Sequence, residues 1–230
     1  MRDRAESALH DFLGKTKGDL FIGGSTIPSG FILPGLIGPF LKKYPDVNIH
    51  VSAGDTMQIV DMVEKGELEF GIVGARVDHP KIRQEKLVAD EMRLIVPADH
   101  VWVKKGSVDC ADLFETPFIA REKGSGTWRS ILASIATAGH DPARLKPAVT
   151  MGSTTSVIQG ILSRAGISIL STIAVQVDLD KGRLAALSVR GLDLSRFFYL
   201  TLSSRRSLSP ISEKFIQVAR GVFETQSKSA

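Results

Sequence analysis

The sequence predicts an α/β protein with two lobes. Residues 19–73 alternate short apolar strands with amphipathic helices in the order β-α-β-α-β, the pattern of a parallel sheet with right-handed crossovers. The same alternation starts again near residue 97 and continues to about residue 200. A length of 230 residues is enough for one large or two small globular domains. We therefore expect two α/β lobes.

The first lobe begins with an apolar strand, a Gly/Ser/Thr turn and an amphipathic helix. Its predicted elements are a strand at 20–22, a helix at 31–41, a strand at 47–51, a helix after Asp55-Thr56, and strands at 70–73 and 93–96. Pro39 lies inside the first helix and removes one backbone donor. We expect the helix to kink or to end early there.

The second lobe repeats this order and is followed by an amphipathic helix. Its predicted elements are strands at 118–120, 148–151, 167–170, 184–189 and 197–202, helices at 127–138 and 154–163, and a final helix opened by Ser209-Pro210.

Composition and charge exclude several classes of protein. The chain is 43% hydrophobic and 7% aromatic, as is typical of a soluble globular protein. The net charge is +4, and no run of basic residues is longer than two, so this chain is not expected to bind DNA by itself. Residues 20–41 are uncharged, but they contain five Gly and three Pro, which argues against a membrane span.

The sequence lacks the patterns expected of an enzyme or a metalloprotein. The single cysteine, Cys110, excludes an internal disulfide and is interpreted as a structural thiol in a reducing compartment. The five histidines are scattered, and the loop at 124–129 breaks the dinucleotide-binding pattern at its last position. The N-terminus has no apolar signal region, so the expected location is the cytoplasm. We predict no catalytic residues, no metal and no cofactor.

Three turns share one design, in which a strand ends, a Gly/Ser/Thr turn follows and a helix begins. They lie at residues 23–26, 123–127 and 152–155. A helix N-terminus presents unpaired N–H groups, and Ser or Thr adds neutral donors. In open α/β sheets ligands bind at the carboxyl ends of strands, where these turns lie. The turns could therefore bind an anion, although each hydroxyl taken alone is better explained as a helix cap, and we interpret Asp55-Thr56 mainly as a cap.

Six segments of the chain form a recognisable series. In chain order they are GDLFIGGSTIPSGF, VEKGELEFGIVGAR, REKGSGTW, MGSTTSVIQGIL, AGISILS and SLSPISEKFIQVA. Together, in this order, they resemble the effector-binding (regulatory) domain of LysR-type transcriptional regulators. The resemblance extends from residue 1 to about residue 224.

The resemblance implies a fold similar to type 2 periplasmic binding proteins, with two Rossmann-like lobes joined by two crossover strands. Lobe I would comprise residues 18–93 plus 203–225, and lobe II residues 94–202. The crossovers would fall near residues 94–96 and 200–202. Residues 1–17 would be the remnant of a linker helix, and the DNA-binding domain would be missing.

The resemblance also implies the residues that contact the effector. Mapped onto this sequence, they are Ser25, Thr26, the adjacent Ile27, Ser125, Gly126, Thr127, Ser153 and Thr154. Three departures from the family stand out. Trp128 lies where many members carry Arg, and Arg164 lies where a Gly is expected. Ile27 and Met57 replace hydroxyl residues of the sulfate-responsive branch, which disfavours sulfate as the effector.

The function implied is ligand sensing in a bacterial transcription regulator. A small anionic metabolite would bind in the cleft between the lobes and control DNA binding by an absent winged helix-turn-helix, within a homodimer or homotetramer. The alternative is a solute-binding receptor of a transporter, because that fold would be shared. The sequence leaves open the effector, the operator, and whether the regulator activates or represses.

Overall fold

A computed structural model describes residues 16–229 of the chain, with side chains described for residues 16–223. The predicted linker-helix remnant at 1–17 lies almost entirely outside these residues. The chain forms two compact units. Unit 1 contains the chain up to Val88 and again from Phe198 onward, and unit 2 is the continuous segment Ala89–Phe197.

Unit 1 is a sheet with three helices. Its strands are β1 (Gly18–Ser25), β2 (Val47–Gly54), β3 (Phe70–Val73) and the unit 1 parts of β4 (Ile82–Pro97) and β10 (Ser195–Ser203); its helices are α1 (Leu33–Lys43), α2 (Thr56–Lys65) and α7 (Pro210–Ser229). A π-helical turn, Pro28–Ile32, leads into α1. The strand order is β2-β1-β3-β10-β4; β1 pairs in parallel with β2 and β3, and β10 pairs antiparallel to β3.

The core of unit 1 joins residues from both ends of the chain. Phe215 of α7 packs against Phe40 of α1, with ring centroids 5.0 Å apart, and against Phe70 of β3 at 5.7 Å. All three rings are almost completely buried. The C-terminal helix therefore completes the core that the first strands and helices begin.

Unit 2 contains the remaining strands and helices. They are the unit 2 parts of β4 and β10, strands β5 (Ser107–Asp109), β6 (Phe118–Arg121), β7 (Pro147–Met151), β8 (Ser168–Ser171) and β9 (Leu184–Arg190), helices α3 (Cys110–Phe114), α4 (Gly126–Thr137), α5 (Thr154–Leu162) and α6 (Thr172–Asp180), and the 3₁₀ turns Val101–Lys105 and Pro142–Arg144. β4 pairs antiparallel to β8 and β9, and β6 pairs in parallel with β7.

One apolar cluster in the core of unit 2 draws on strands β4, β5, β6, β8 and β9 and on helices α3 and α4. Buried Leu94, Phe118, Ile131 and Ile169 belong to it. Cys110 is buried in the same cluster, and burial raises the pKa of its thiol, which fits a structural role.

The structure corrects two expectations about the bounds of individual elements. Residues 93–96 form only the end of strand β4, which begins at Ile82. The apolar pattern does not reveal the first part of the strand, because its residues are mostly polar and only partly buried. Helix α1 does not end early at Pro39 but continues to Lys43. Pro39 has no N–H to donate to the carbonyl of Gly35. Both residues lie on the exposed face of the helix, where water can donate to that carbonyl instead.

Two strands run through both units. β4 passes from unit 1 into unit 2 between Val88 and Ala89, and β10 returns between Phe197 and Phe198. The predicted crossovers, near residues 94–96 and 200–202, lie within these two strands.

Candidate functional site

In unit 1, the predicted effector turn follows β1 directly. Helical backbone begins at Thr26, immediately after the last residue of the strand, Ser25. The chain turns so sharply that a Cβ on Gly24 would lie 2.6 Å from the backbone nitrogen of Ser29. Only glycine fits at that position, so the sequence Gly-Ser-Thr sets the geometry of the turn.

The three predicted residues of this turn differ in environment. The buried Ser25 hydroxyl accepts a hydrogen bond of 3.1 Å from the backbone N–H of Gly74, which follows β3. A serine hydroxyl has one donor and two acceptor positions, so this bond does not use its donor. Thr26 is partly exposed, whereas Ile27 is 2% exposed and belongs to the core of unit 1.

In unit 2, the other two predicted turns lie side by side. β6 ends at Arg121 and β7 ends at Met151, and these two residues are paired in the parallel register. The turn before α4 follows β6, and the turn before α5 follows β7. The backbone N–H of Glu122 donates to the carbonyl of Met151, which holds the two turns together. Both therefore lie at the carboxyl ends of neighbouring strands, as predicted.

The serines of these two turns cap their helices. Ser125 is the N-cap of α4, and its hydroxyl accepts from the backbone N–H of Trp128 at 3.3 Å. Ser153 is the N-cap of α5 and accepts from Ser156 at 3.0 Å. Ser125 is 3% exposed, whereas Ser153 is partly exposed. A helix cap is thus part of the role of each.

The two threonines of these turns instead contact buried arginines. The Thr154 hydroxyl accepts from Arg121 Nη1 at 2.7 Å, and the Thr127 hydroxyl accepts from Arg196 Nη1 at 3.2 Å. Thr127 and Thr154 are 5% and 1% exposed. Gly126, between Ser125 and Thr127, is buried as the first residue of α4. A hydroxyl that accepts from a cation becomes a better donor, so both threonines are suited to bind an anion.

Neither arginine is expected from the sequence patterns, and each is balanced by a carboxylate. Arg121 donates to both carboxylate oxygens of Glu122, at 2.7 and 2.6 Å. Arg196 Nε donates to Asp90 at 2.7 Å, and the Ser171 hydroxyl donates to the same carboxylate. Burial lowers the pKa of the Arg196 guanidinium, and Asp90 opposes that change. A usable sequence signal is a charged residue beside an apolar strand, as in Phe-Ile-Ala-Arg at 118–121.

Neither of two large cavities contains a predicted site residue. The first, of about 510 Å³, lies in unit 1 between α7 and strands β4 and β10; the second, of about 340 Å³, lies in unit 2 beside α4 and includes Arg196. Within the described side chains, no three His, Cys, Asp or Glu residues are grouped to hold a metal ion. No helix among residues 16–229 is long and apolar enough to cross a bilayer.

An α/β fold with hydroxyl donors at helix starts beyond the carboxyl ends of its strands defines a ligand-binding domain. The family model described as the LysR substrate binding domain matches residues 14–224, and the chain belongs to that family. It is the effector-binding domain of a LysR-type transcriptional regulator, as the sequence motifs predict.

Known proteins agree with this assignment. The chain is 29% identical to the HTH-type transcriptional regulator CbbR of Rhodospirillum rubrum, over 96% of this chain and 72% of CbbR. The regulatory domain of Synechocystis PCC6803 CcmR in complex with 2-PG has a TM-score of 0.82 at 23% identity, covering 90% of this chain and 98% of that one. The effector-binding domain of QuiR in complex with shikimate has a TM-score of 0.79 at 22% identity, covering 91% and 98%. These two structures confirm the fold.

Proposed function

We propose that the chain senses a small anionic metabolite through the three hydroxyl-bearing turns. The predicted contacts are Ser25, Thr26 and Ile27 in unit 1, and Ser125, Gly126, Thr127, Ser153 and Thr154 in unit 2. The observation that carries the proposal is that Thr127 and Thr154 each accept a hydrogen bond from a buried guanidinium at the start of a helix. The positive end of the helix and the guanidinium both favour an anion at the hydroxyl.

The charge balance of unit 2 supports a ligand held by neutral donors. Arg121 and Arg196 are each paired with a carboxylate, so neither brings an uncompensated charge to the two hydroxyls. An anion bound there gains hydrogen bonds without having to meet an unpaired buried cation. We propose that the effector is a small acid, and that the partners of the chain are further copies of itself, in a homodimer or homotetramer, acting in the cytoplasm without catalysing a reaction.

Isothermal titration calorimetry tests the site. Ligands of small size and negative charge form the panel: 2-PG, shikimate, inorganic phosphate and sulfate. We expect at least one to bind, and the variant combining Ser125→Ala and Thr127→Ala to weaken that binding at least about tenfold, since a hydrogen bond to a charged group contributes about 1.5–3 kcal/mol.

Ser130→Ala is the matched control, because the Ser130 hydroxyl lies on the same helix and donates to the backbone carbonyl of Gly126. This control is expected to keep wild-type affinity. Circular dichroism checks that both variants are folded. Unchanged affinity in the double variant would show that the effector binds elsewhere.

A further inference from the structure

Arg129 lies on helix α4, one turn beyond two of the predicted effector residues. It follows Ser125 by four positions and Gly126 by three, and its backbone N–H donates to the carbonyl of Ser125 at 3.1 Å. Residues three or four apart are neighbours on the surface of a helix. Long side chains in a helix lean toward its N-terminus. The side chain of Arg129 is therefore expected to lean toward the turn at 123–127.

One edge of the Arg129 guanidinium is buried and unsatisfied. Nε and Nη2 are both inaccessible to solvent, and among the described residues neither has a hydrogen-bond acceptor, although the residue as a whole is partly exposed. The N–H groups of one guanidinium edge form a fixed fork, which matches the two oxygens of a carboxylate or phosphate group. A buried donor without an acceptor is destabilising. The unsatisfied groups thus have the geometry for an oxyanion.

The charge of Arg129 is also not balanced within unit 2. Arg121 and Arg196 each have a carboxylate partner, whereas Arg129 takes part in no ion pair with any side chain of residues 16–223. Helix α4 has no acidic residue in its first turn. A cation near the start of a helix is repelled by the positive end of the helix dipole. A bound anion would relieve both this repulsion and the unsatisfied N–H groups.

The predicted effector residue Ser125 lies on the same side of α4 as Arg129. Ser125 is 3% exposed, and its hydroxyl accepts from the backbone N–H of Trp128. That hydrogen bond uses an acceptor position, so the hydroxyl keeps a proton that it can donate to a ligand. A ligand that contacts Ser125 would therefore lie within one helical turn of the position that carries Arg129.

We propose that Arg129 binds the acidic group of the effector through Nε–H and Nη2–H, and that this fork selects ligands with a carboxylate or phosphate group. The proposal rests on the proposed function, because it assumes that the turn at 123–127 contacts the effector. Thr127 and Thr154 would bind other oxygens of the same ligand through neutral hydroxyls. Arg129 would supply the positive charge that Arg121 and Arg196, each paired with a carboxylate, do not.

Thermal denaturation in inorganic phosphate and in malonate tests the fork, with chloride used to keep the ionic strength constant. A ligand that binds the folded state raises the Tm in proportion to its affinity and concentration. We expect both anions to raise the Tm of the wild type. Arg129→Gln should need at least about tenfold more anion for the same rise, because two charge-assisted hydrogen bonds are lost. Arg129→Lys, which keeps the charge but has no fork, should fall between them.

Two control variants separate this effect from a general loss of charge or of helix stability. Lys104→Gln removes one positive charge from an exposed residue of the 3₁₀ turn Val101–Lys105 in unit 2, and Ser130→Ala changes the residue next to Arg129. Both are expected to keep the wild-type response to phosphate and malonate. Failure of both anions to raise the wild-type Tm, or an equal rise in Arg129→Gln, would overturn the proposal.

The variant combining Ser125→Ala and Thr127→Ala, measured in the same way, separates the two proposals. If this double variant loses the response to both anions and Arg129→Gln keeps it, the predicted turn binds the anion and the role of Arg129 fails. If Arg129→Gln loses the response and the double variant keeps it, Arg129 binds the anion and the effector role of Ser125 and Thr127 fails.

Discussion

Arg164 has a backbone conformation that favours glycine. Its φ is 65°, and it is the one non-glycine residue with a positive φ among the described residues. It follows the end of α5, where the N–H of Ala165 donates to the carbonyl of Gly160. The left-handed conformation at a helix end explains why a Gly is expected there in related domains. The Arg164 guanidinium pairs with Asp99 through two hydrogen bonds, of 3.1 and 2.6 Å, but both side chains are exposed.

Replacing Arg164 tests how backbone strain compares with this ion pair. A left-handed conformation costs a non-glycine residue about 1–2 kcal/mol, whereas solvent screens an exposed ion pair so that it contributes little. We expect Arg164→Gly to be at least as stable as wild type and about 1 kcal/mol more stable than Arg164→Ala, which loses the ion pair but keeps the strain. Urea denaturation of the three proteins measures the order. A stability of Arg164→Ala equal to that of Arg164→Gly would contradict it.

Also at the scale of single residues, the positions of the hydroxyl groups in the turns are easier to predict than the buried charged groups that contact them. Ser125 and Ser153 can be placed at helix starts because strand, turn and helix are consecutive in the sequence. Arg196 and Asp90 are 106 residues apart, and no local pattern indicates that they pair. Ser25 shows the same limit, since its hydroxyl is bound by Gly74, 49 residues away, rather than by its own helix.

Among the elements, the 3₁₀ turn Val101–Lys105 carries a pH-sensitive cap. His100 is its N-cap, and the imidazole Nδ1 accepts from the backbone N–H of Trp102 at 3.3 Å. Burial lowers the pKa of His100, while Asp99 opposes the change. The folded state therefore prefers the neutral imidazole. This contribution to stability is complete above the ordinary histidine pKa of about 6.5 and is lost as the pH falls through the lowered pKa of the folded state.

His100→Asn keeps a capping acceptor but does not titrate. As the pH falls from about 7.5 to about 5, we expect the Tm of the wild type to decrease relative to that of His100→Asn. Differential scanning calorimetry across this range measures it. A difference in Tm that does not change with pH would show that protonation of His100 has no effect on the turn.

The elements found from the sequence are those whose apolar pattern matches their burial. β3 occupies the predicted residues, Phe70–Val73, because all four are buried and lie between polar segments. The sequence pattern does not indicate helix α6, because its burial is inverted: Asp178 is buried beside Arg183, and Val177 is 59% exposed. Hydrophobic periodicity cannot identify a helix in which an aspartate is buried and a valine is exposed.

For the whole molecule, the stability of unit 1 depends on its C-terminal helix. Phe215→Ala removes a ring that is 1% exposed and in contact with both Phe40 and Phe70. We expect it to destabilise unit 1 by about 3–5 kcal/mol, because the ring loses its burial and leaves a cavity. Urea denaturation measures the change. Phe21→Ala is the control: Phe21 is 46% exposed and stacks on His50, so a cost below about 1 kcal/mol is expected.

The two-lobe architecture could be predicted because the order of strands and helices repeats along the chain. The pairing of the last helix with the first unit could not be predicted from periodicity, which identifies an amphipathic helix without saying what covers it. That assignment came from the resemblance to a known family. The proposed contacts of the effector remain predictions, and Arg196, which donates to Thr127, is too far away in the sequence for a local pattern to indicate the contact.

Phe40 and Phe70 cannot pack against Phe215 until the C-terminal helix has been translated. The two units therefore become complete at different times during synthesis. Every residue of unit 2 has been translated by Phe197, whereas unit 1 still lacks its last strand and helix. Domains generally fold as units while the chain emerges from the ribosome. The nascent chain therefore presents a finished second unit and an unfinished first one, and a pause or truncation late in translation would expose the apolar face that the final helix covers.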